Sequence, residues 1–230
     1  MKLWNDDEEL FELARKELFV AVVGDVMDQM GLRRQFLPPQ IQPLKRDLVM
    51  IGRAMPVLGV DWLEEDIAGV HNPALKKSFG LMMEALDSLK PNEIYTVTGC
   101  SPQYALWGEL MSTRAMYCRA AGAVLNGYTR DLRGILALQF PVFCWGSFAQ
   151  DQSVRGKVVD YGISIQIGQA VIAPGDILFG DCDGVCVVPR KAETEVFLAA
   201  IQKARAEKTV RSEIEAGMPA REAFEKYGIL

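Results

Sequence analysis

The stretch from Gly108 to Asp131, GELMSTRAMYCRAAGAVLNGYTRD, constrains the fold most, because it predicts a helix, a tight turn and a strand whose outer ends meet. A helix over residues 109–121 advances roughly 20 Å at about 1.5 Å per residue. Gly122 predicts the helix stop, since glycine enters the left-handed region without steric cost. An extended return over residues 123–127 covers about 16 Å at roughly 3.3 Å per residue. The end of the strand is therefore expected beside the start of the helix.

This return places Arg130 and Asp131 next to Glu109. At the helix start, the free backbone N–H groups of Leu110 and Met111 lie at the half-positive end of the helix dipole, which favours an anion. Two carboxylates, an arginine and an amide-rich helix end predict a site for a divalent cation and a small carboxylate ligand. Taken alone, the Arg-Asp pair is more typical of a surface ion pair than of a binding site.

Composition predicts one globular domain over residues 1–230, with N-terminal helices over about 1–45 and a helical tail over about 190–230. The chain has 230 residues, of which 50% are hydrophobic and 24% charged, enough for one substantial core. The formal net charge is −5, and no lysine or arginine cluster is present. Nucleic-acid and membrane-surface partners are therefore not expected, because both depend on concentrated positive charge.

The N-terminus and the cysteines predict a cytoplasmic protein. The sequence MKLWNDDEEL is acidic and lacks the apolar core of a signal peptide, and no apolar run reaches the length of a membrane span. Five cysteines lie in apolar segments, an odd number, which is typical of buried thiols in a reducing compartment. Cys182 and Cys186 have no second pair and no nearby histidine, so a zinc site is disfavoured.

The N-terminal third predicts helices and one long strand. Residues 6–19 and 24–31 show helical patterns, the second bounded by glycines. Asp25 is interpreted as a helix cap or a local hydrogen-bonding residue rather than a chemical group. Residues 47–60 are rich in strand formers, and Arg53 within them is interpreted as structural. An acidic loop follows over residues 61–66.

His71 is the only histidine, and it precedes Asn72 and Pro73, which predict the start of a helix running to Leu89. A general-base role for His71 stays open because histidine titrates near neutrality, but a loop or cap role is favoured. No serine or cysteine nucleophile motif surrounds it, which disfavours triad chemistry.

The remainder of the sequence alternates between predicted strands and predicted helices. Strand 93–98, the central helix and strand, a helical turn over 132–138 and strand 141–146 predict right-handed parallel crossovers. Residues 157–172 predict antiparallel ribbon strands, and residues 174–190 predict a hairpin whose aspartates, Asp176, Asp181 and Asp183, are turn residues rather than a calcium loop. Helices over 191–217 and 220–227 end the chain. No phosphate-binding loop or dinucleotide glycine motif follows any predicted strand.

Glu109, twenty intervening residues and Arg130-Asp131 resemble the acid-x20-Arg-Asp signature of the divalent-metal-dependent pyruvate aldolases of the 4-hydroxy-4-methyl-2-oxoglutarate type. These enzymes share a fold with the regulator of ribonuclease activity A proteins. The resemblance covers nearly the whole chain; the other matching stretches are GDVMDQMG, LVMIGRAMPV, GELM, AGAVLNGYTRD, PVF and PGDILFGDCDGVCVVP. Similar sequences have also been named methyltransferases, but the chain has no glycine motif for S-adenosylmethionine.

The resemblance implies an α/β fold, an αββα sandwich with a mixed sheet like the β/β/α swivelling domains, assembled as a homotrimer or hexamer with active sites at subunit clefts. It implies that Asp131 binds Mg²⁺ or Mn²⁺ directly, that Glu109 holds metal-bound water, and that Arg130 pairs with the keto oxygen or carboxylate of the substrate. The substrate carboxylate is expected at the helix start formed by Gly108, Leu110 and Met111. A glutamate of the adjacent subunit is also implied; the candidate is Glu207, with the alternatives Glu193, Glu195, Glu213 and Glu215.

The implied reaction is retro-aldol cleavage of a 4-hydroxy-2-keto acid with release of pyruvate, and oxaloacetate decarboxylation is an expected side activity because both pass through the same enolate. Two alternatives stay open: a non-catalytic regulator that binds a ribonuclease or helicase, and a lyase for another 2-keto or sugar acid. The chain departs from the family pattern where Glu109 replaces the more frequent aspartate and where Tyr128 and Thr129 make a bulky approach to the arginine.

Overall fold

The fold was determined as a computed structural model, which describes residues 3–62 and 70–228. The helices are α1 (Asp7–Glu17), α2 (Val20–Gln29), α3 (Met82–Asp87), α4 (Glu109–Tyr117), α5 (Leu132–Leu138), α6 (Glu193–Glu215) and α7 (Ala220–Tyr227). The strands are β1 (Gln42–Pro43), β2 (Met50–Asp61), β3 (Glu93–Thr98), β4 (Ala105–Trp107), β5 (Gly122–Leu125), β6 (Tyr128–Thr129), β7 (Val142–Cys144), β8 (Gly156–Tyr161), β9 (Ile165–Ile167), β10 (Ala170–Ile172), β11 (Ile177–Asp181) and β12 (Gly184–Val188).

One mixed sheet organises the molecule. Its strand order is β1-β7-β5-β3-β2-β11-β12, and β8 also pairs with β2. Strands β2, β3, β5 and β7 run parallel to one another, whereas β1, β8, β11 and β12 pair antiparallel. The predicted strand-helix-strand-helix-strand succession is thus confirmed, since α4 and α5 connect parallel strands. The strands predicted over residues 157–172 are antiparallel, as expected, although β8 pairs with β2 whereas β9 pairs with β10.

Alternate residues of β2 show how the layers are arranged. Ile51 and Val57 pack into clusters with the helices, whereas Met50 and Ala54 pack into a cluster with the β9–β10 hairpin. Because successive side chains of a strand point to opposite faces, the helices in these two clusters lie on one face and the hairpin on the other. The order of layers is β, β, α, which agrees with the swivelling-domain description. The second helix layer of an αββα sandwich is not found in the described part of the chain.

The second helix begins earlier than the sequence predicts. It starts at Val20, so Gly24 lies inside it and does not bound it. Glycine is needed there for packing, because a Cβ at Gly24 would lie 2.2 Å from Cζ of Phe36. The predicted capping role of Asp25 is wrong, since this residue is mid-helix and its carboxylate pairs with Lys203 of α6.

The long helix predicted from Pro73 to Leu89 is wrong. Asn72 does cap a helix, through a 2.9 Å hydrogen bond from the Ala74 N–H, but this is a 3₁₀ turn over Pro73–Lys76, and α3 starts separately. The break is at Gly80, where a Cβ would lie 2.0 Å from the carbonyl oxygen of Val158. His71 is exposed just before the turn. Most of the predicted acidic loop lies outside the described residues.

The two ends of the chain are joined through Arg53 of β2, which confirms its structural role. Its guanidinium hydrogen-bonds Asp7 of α1, Glu193 of α6 and the carbonyl oxygen of Gly175 at 3.0 Å. The β11–β12 hairpin is as predicted, and Asp176 accepts hydrogen bonds from Ala173 and Arg190 as a turn residue. All five cysteines are free thiols. Among the described helices, none has the length and apolarity needed to cross a membrane.

Candidate active site

The central helix is shorter than the sequence predicts. Helix α4 ends at Tyr117, and Arg119, rather than Gly122, takes the left-handed conformation, with φ of 60°. Gly122 instead opens strand β5, where a Cβ would lie 2.5 Å from Sδ of Met50 and 2.7 Å from the carbonyl oxygen of Pro141. The glycine is therefore required by close packing of the strand, and the predicted stop is wrong by three residues.

The two ends of the stretch nevertheless meet as predicted. The backbone N–H of Glu109 donates to Oδ2 of Asp131 at 3.3 Å. Strands β4 and β6 hold this junction in parallel pairing, and the Arg130 N–H donates to the carbonyl oxygen of Trp107 at 2.9 Å. Trp107 is buried and donates to Ser112 inside α4 at 2.7 Å. Pairing of two short strands therefore fixes the helix start against the Arg-Asp dipeptide.

Asp131 has a left-handed backbone, with φ of 58°, directly before α5. Aspartate tolerates this region better than most residues, but the conformation still carries strain. The carboxylate does not cap its own helix and lies instead at the start of α4, where the helix dipole stabilises an anion. Gly108 leaves room for it, because a Cβ there would lie 2.6 Å from Oδ2 of Asp131.

Glu109 lies across α5, against Gly134. A Cβ on this glycine would come within 2.2 Å of the Glu109 carboxyl carbon. Glu109 itself is exposed, and its side chain rests where α5 has no side chain of its own. The glycine in the middle of α5 therefore leaves the space that the Glu109 carboxylate occupies. No pattern in the sequence singles out this glycine.

Arg130 has a partner that the sequence pattern also fails to indicate. Its Nη1 lies 2.6 Å from Oδ1 of Asp151, whereas its Nε lies 3.7 Å from Oδ2 of Asp131. Burial raises the pKa of the Asp151 carboxyl, but hydrogen bonds from Ser153 and the charge of Arg130 outweigh burial and hold this pKa below its usual value. Asp151 is twenty residues beyond the Arg-Asp pair in an irregular segment, so no spacing motif points to it.

Two depressions flank the Arg130-Asp131 pair. One, of about 170 Å³, contains both residues and Asp151; it is also lined by Phe79, Met82, Met83, Ala105, Leu106, Trp107, Gly108, Leu110, Met111 and Gln152. The other, of about 250 Å³, is lined by Arg130, Asp131, Ser147, Phe148 and Ala149. The start of α4 thus opens into a small cavity together with the arginine and two carboxylates. Within the described ranges, no hydrogen-bond partner is found for the N–H groups of Leu110 and Met111.

The donor atoms fit a hard divalent cation held largely by water. Oδ1 of Asp131 has no hydrogen-bond partner among the described residues, and the side chain is 43% exposed. Mg²⁺ commonly uses one or two carboxylates and keeps several waters, so a cluster of three protein ligands is not required. The structure brings three such groups within 4.8 Å only at Asp181, Cys182 and Asp183, in the part of the chain it describes. There Asp181 accepts hydrogen bonds from Val20 and Asp183, as a turn residue does.

Glu207 does not belong to this cavity within one protomer. It lies on α6, 3.9 Å from Lys203, in a separate surface depression with Phe19 and Asp25. Its predicted role concerns a neighbouring subunit, so it stays a prediction.

A family model of known proteins matches most of this chain. The chain belongs to this family, because the family model described as "RraA-like: Aldolase/RraA" matches residues 20–187. The resemblance stated from the sequence is thereby confirmed at the level of the family.

Relatives of this chain differ in length and in name. A protein of Halalkalibacterium halodurans named "Putative 4-hydroxy-4-methyl-2-oxoglutarate aldolase" is 32% identical over 184 residues, which cover 79% of this chain and 77% of that protein. Protein DlpA of Legionella pneumophila is 26% identical over 90% of this chain, but the chain spans only 32% of DlpA. Streptomyces coelicolor RraAS2, described as an unusual member of the RNase ES inhibitor RraA protein family, shares the fold with a TM-score of 0.75 at 21% identity, covering 90% of this chain and 98% of that one.

Proposed function

We propose that this protein is a metal-dependent lyase that cleaves a 4-hydroxy-2-keto acid by a retro-aldol reaction and releases pyruvate. The observation that carries the proposal is the convergence of the Asp131 carboxylate, the Arg130 guanidinium and the start of α4 on one small cavity. An α-keto acid presents a carboxylate and a neighbouring carbonyl oxygen, and these two groups need an anion site and a cationic donor at short separation.

In this proposal, Asp131 holds Mg²⁺ or Mn²⁺ directly and Glu109 holds it through water. When bound, such a cation supplies Lewis-acid stabilisation to the negative charge that develops on the keto oxygen. The free Oδ1 of Asp131 and its exposure support this role. The glutamate expected from a neighbouring subunit, Glu207, belongs to the same proposal, as does assembly into a homotrimer or hexamer.

The residues of the chain divide the remaining work. The N–H groups of Leu110 and Met111, with Gly108 before them, receive the substrate carboxylate at the helix start. Arg130 donates to the keto oxygen as charge develops on it. Glu109 orients the water through which the proton of the 4-hydroxyl leaves. The C3–C4 bond then breaks, a carbonyl forms at C4, and the enolate half takes a proton at C3 to become pyruvate.

The test is coupled detection of pyruvate from 4-hydroxy-4-methyl-2-oxoglutarate, the compound in the name of the Halalkalibacterium relative, and from oxaloacetate. Release is expected with Mg²⁺ and is expected to stop with a chelator. An Arg130→Ala variant should lose about 100-fold or more in kcat/KM, because the oxyanion loses its charged donor. Arg133→Ala, an exposed arginine on α5 that lines neither depression, is the matched control.

Two other functions define the outcomes that would overturn this proposal. A protein that released no pyruvate from any 2-keto acid but bound a ribonuclease would be a regulator, the class of protein to which the description of Streptomyces coelicolor RraAS2 refers. Cleavage confined to another 2-keto or sugar acid would keep the lyase class and change the substrate.

A further inference from the structure

We infer that the part of the substrate beyond C4 is uncharged and apolar, so that this protein prefers a 4-hydroxy-2-keto acid with a hydrophobic substituent over a dicarboxylate. The inference rests on the proposed lyase function and specifies the substrate class of the same cavity. It follows from the composition of the cavity wall, from the charges within it and from the backbone conformation of the residues that form it.

The wall of the cavity away from the Arg-Asp pair is apolar. Six large side chains form it: Phe79, Met82, Met83, Leu106, Leu110 and Met111. Two of them are exposed, Leu110 by 83% and Met83 by 49%. Large apolar side chains at a rim have a favourable contact to gain when an apolar ligand group covers them. At about 170 Å³, the cavity accommodates only a small ligand.

The described residues that line the cavity offer no unpaired cation to a second carboxylate on the substrate. Arg130 is the only cation that lines either depression in the described parts of the chain, and its Nη1 is already 2.6 Å from Asp151. Arg155, close in sequence, donates to the carbonyl oxygen of Asp151 at 3.1 Å and lines neither depression. A distal carboxylate on this side of the cavity would therefore meet apolar side chains and no unpaired cation of its own protomer, in the part of the chain that the structure describes.

The apolar wall also carries backbone strain, which concentrates at ligand sites. Five described residues other than glycine have positive φ, and two of them, Phe79 at 60° and Asp131 at 58°, line this one cavity. Phe79 is held by its carbonyl oxygen, which accepts from the Val158 N–H at 3.0 Å, and by the close approach of Gly80 to the same residue. Phe79 of the apolar wall and Asp131 on the opposite side are thus both held in costly backbone conformations around the same cavity.

The experiment compares two substrates on the intact protein with the same divalent cation. One is 4-hydroxy-2-oxoheptanoate, whose distal end is a propyl group, and the other is 4-hydroxy-4-methyl-2-oxoglutarate, whose distal end is a carboxylate. The expected kcat/KM is at least tenfold higher for the first substrate. Met83→Lys places a cation on the apolar wall and, because Met83 is half exposed, is compatible with folding. This variant should lower the ratio of the two kcat/KM values at least tenfold, mainly by lowering KM for the dicarboxylate.

The matched control is Met116→Lys, on the exposed surface of α4 and outside the cavity lining; it should leave the substrate ratio unchanged. An equal or higher kcat/KM for the dicarboxylate in the wild-type protein would overturn the inference while leaving the lyase function in place. Absence of pyruvate from both substrates would instead reject the proposed function and the inference with it. An equal change of ratio in both lysine variants would show a general charge effect and would also count against the apolar wall.

Discussion

The Arg130 guanidinium lies 2.6 Å from the Asp151 carboxylate, a shorter contact than the 3.7 Å that separates it from its sequence neighbour Asp131. Asp151 is itself fixed, because it accepts from the Ser153 N–H at 3.1 Å. The arginine is therefore oriented by a residue from a different segment, and Asp131 keeps an oxygen free. In the proposed reaction, this arrangement separates the donor to the substrate from the metal ligand.

Asp151→Asn tests this orientation. The variant keeps the shape of the side chain but removes the charge, so Arg130 should sample more rotamers and kcat/KM should fall about tenfold. The control is Asp160→Asn on β8. Asp160 is exposed, and in the described part of the chain its carboxylate accepts a hydrogen bond only from the N–H of Tyr161. A kcat/KM of Asp151→Asn equal to that of wild type would show that Arg130 needs no such partner.

The pH dependence of this pair has a definite sign. The folded pKa of Asp151 lies below its usual value, so the carboxylate is charged at every pH above about 4. The ion pair between Arg130 and Asp151 is fully formed above the unfolded pKa of Asp151 and is lost as the pH falls through the lowered folded pKa of this residue. The ratio of wild-type to Asp151→Asn kcat/KM should thus stay constant between about pH 5 and 8. A ratio that changed within this window would place another titrating group in control of Arg130.

Gly134→Ala should separate stability from activity. Alanine in mid-helix is favoured over glycine by about 0.5–1 kcal/mol, so α5 should gain stability or stay unchanged. The new Cβ would lie 2.2 Å from the Glu109 carboxyl carbon, so the flexible Glu109 side chain would have to move away. Activity should fall by about the same factor as in Glu109→Ala, and the double variant should show no further loss, as expected for residues in contact. Additive losses in kcat/KM would mean that Gly134 acts by another route.

Much of this site follows from sequence because its parts are local. Glu109 and the Arg130-Asp131 pair are joined by one helix and one strand, so element lengths alone bring them together. Helix α5 and strand β3 begin and end where their patterns predict. The wrong element boundaries occur where contacts with distant segments determine the backbone conformation. Gly122 is required by close packing against Met50, and Gly80 by the close approach of its backbone to Val158.

The missed residues share the same cause. Asp151 reaches Arg130 from an irregular segment, and Phe79 enters the cavity wall because its neighbour breaks a predicted helix. Neither position has a periodicity or a spacing that links it to the Arg-Asp pair. A sequence pattern reports which residues are local to one another, whereas these contacts depend on how the sheet is assembled.

Asp131→Asn and Asp131→Ala should differ in stability but not in activity. Both remove the charge that the proposed metal site requires, so both should lose metal-dependent pyruvate release. Asparagine tolerates the left-handed conformation, whereas alanine at φ of 58° should cost about 1 kcal/mol of unfolding free energy. Chemical denaturation with and without Mg²⁺ measures this difference. If Asp131→Asn kept wild-type activity with Mg²⁺, the carboxylate would not be the metal ligand.

Arg53→Met should destabilise the fold and leave the site intact. The arginine side chain is only 16% exposed and joins α1 and α6 through Asp7 and Glu193, neither of which lines the cavity. Its removal leaves two partly buried carboxylates without their partner, at a cost of about 2 kcal/mol. Denaturation midpoints measure the loss, and kcat/KM at low temperature should equal that of wild type.

The unfolding free energy of the same variant at low pH tests the cause of that loss of stability. The hydrogen bond from Arg53 lowers the pKa of Asp7, against a smaller opposing effect of burial. A lowered folded pKa gives stability that is present above the unfolded pKa of about 3.9 and is lost as the pH falls through the folded value. The difference in unfolding free energy between wild type and Arg53→Met should therefore be constant near neutrality and shrink below about pH 4. A Lys16→Met variant on α1, a residue for which no ion pair is described, provides the baseline. A constant difference down to about pH 2 would mean that Arg53 acts through packing rather than through its charge.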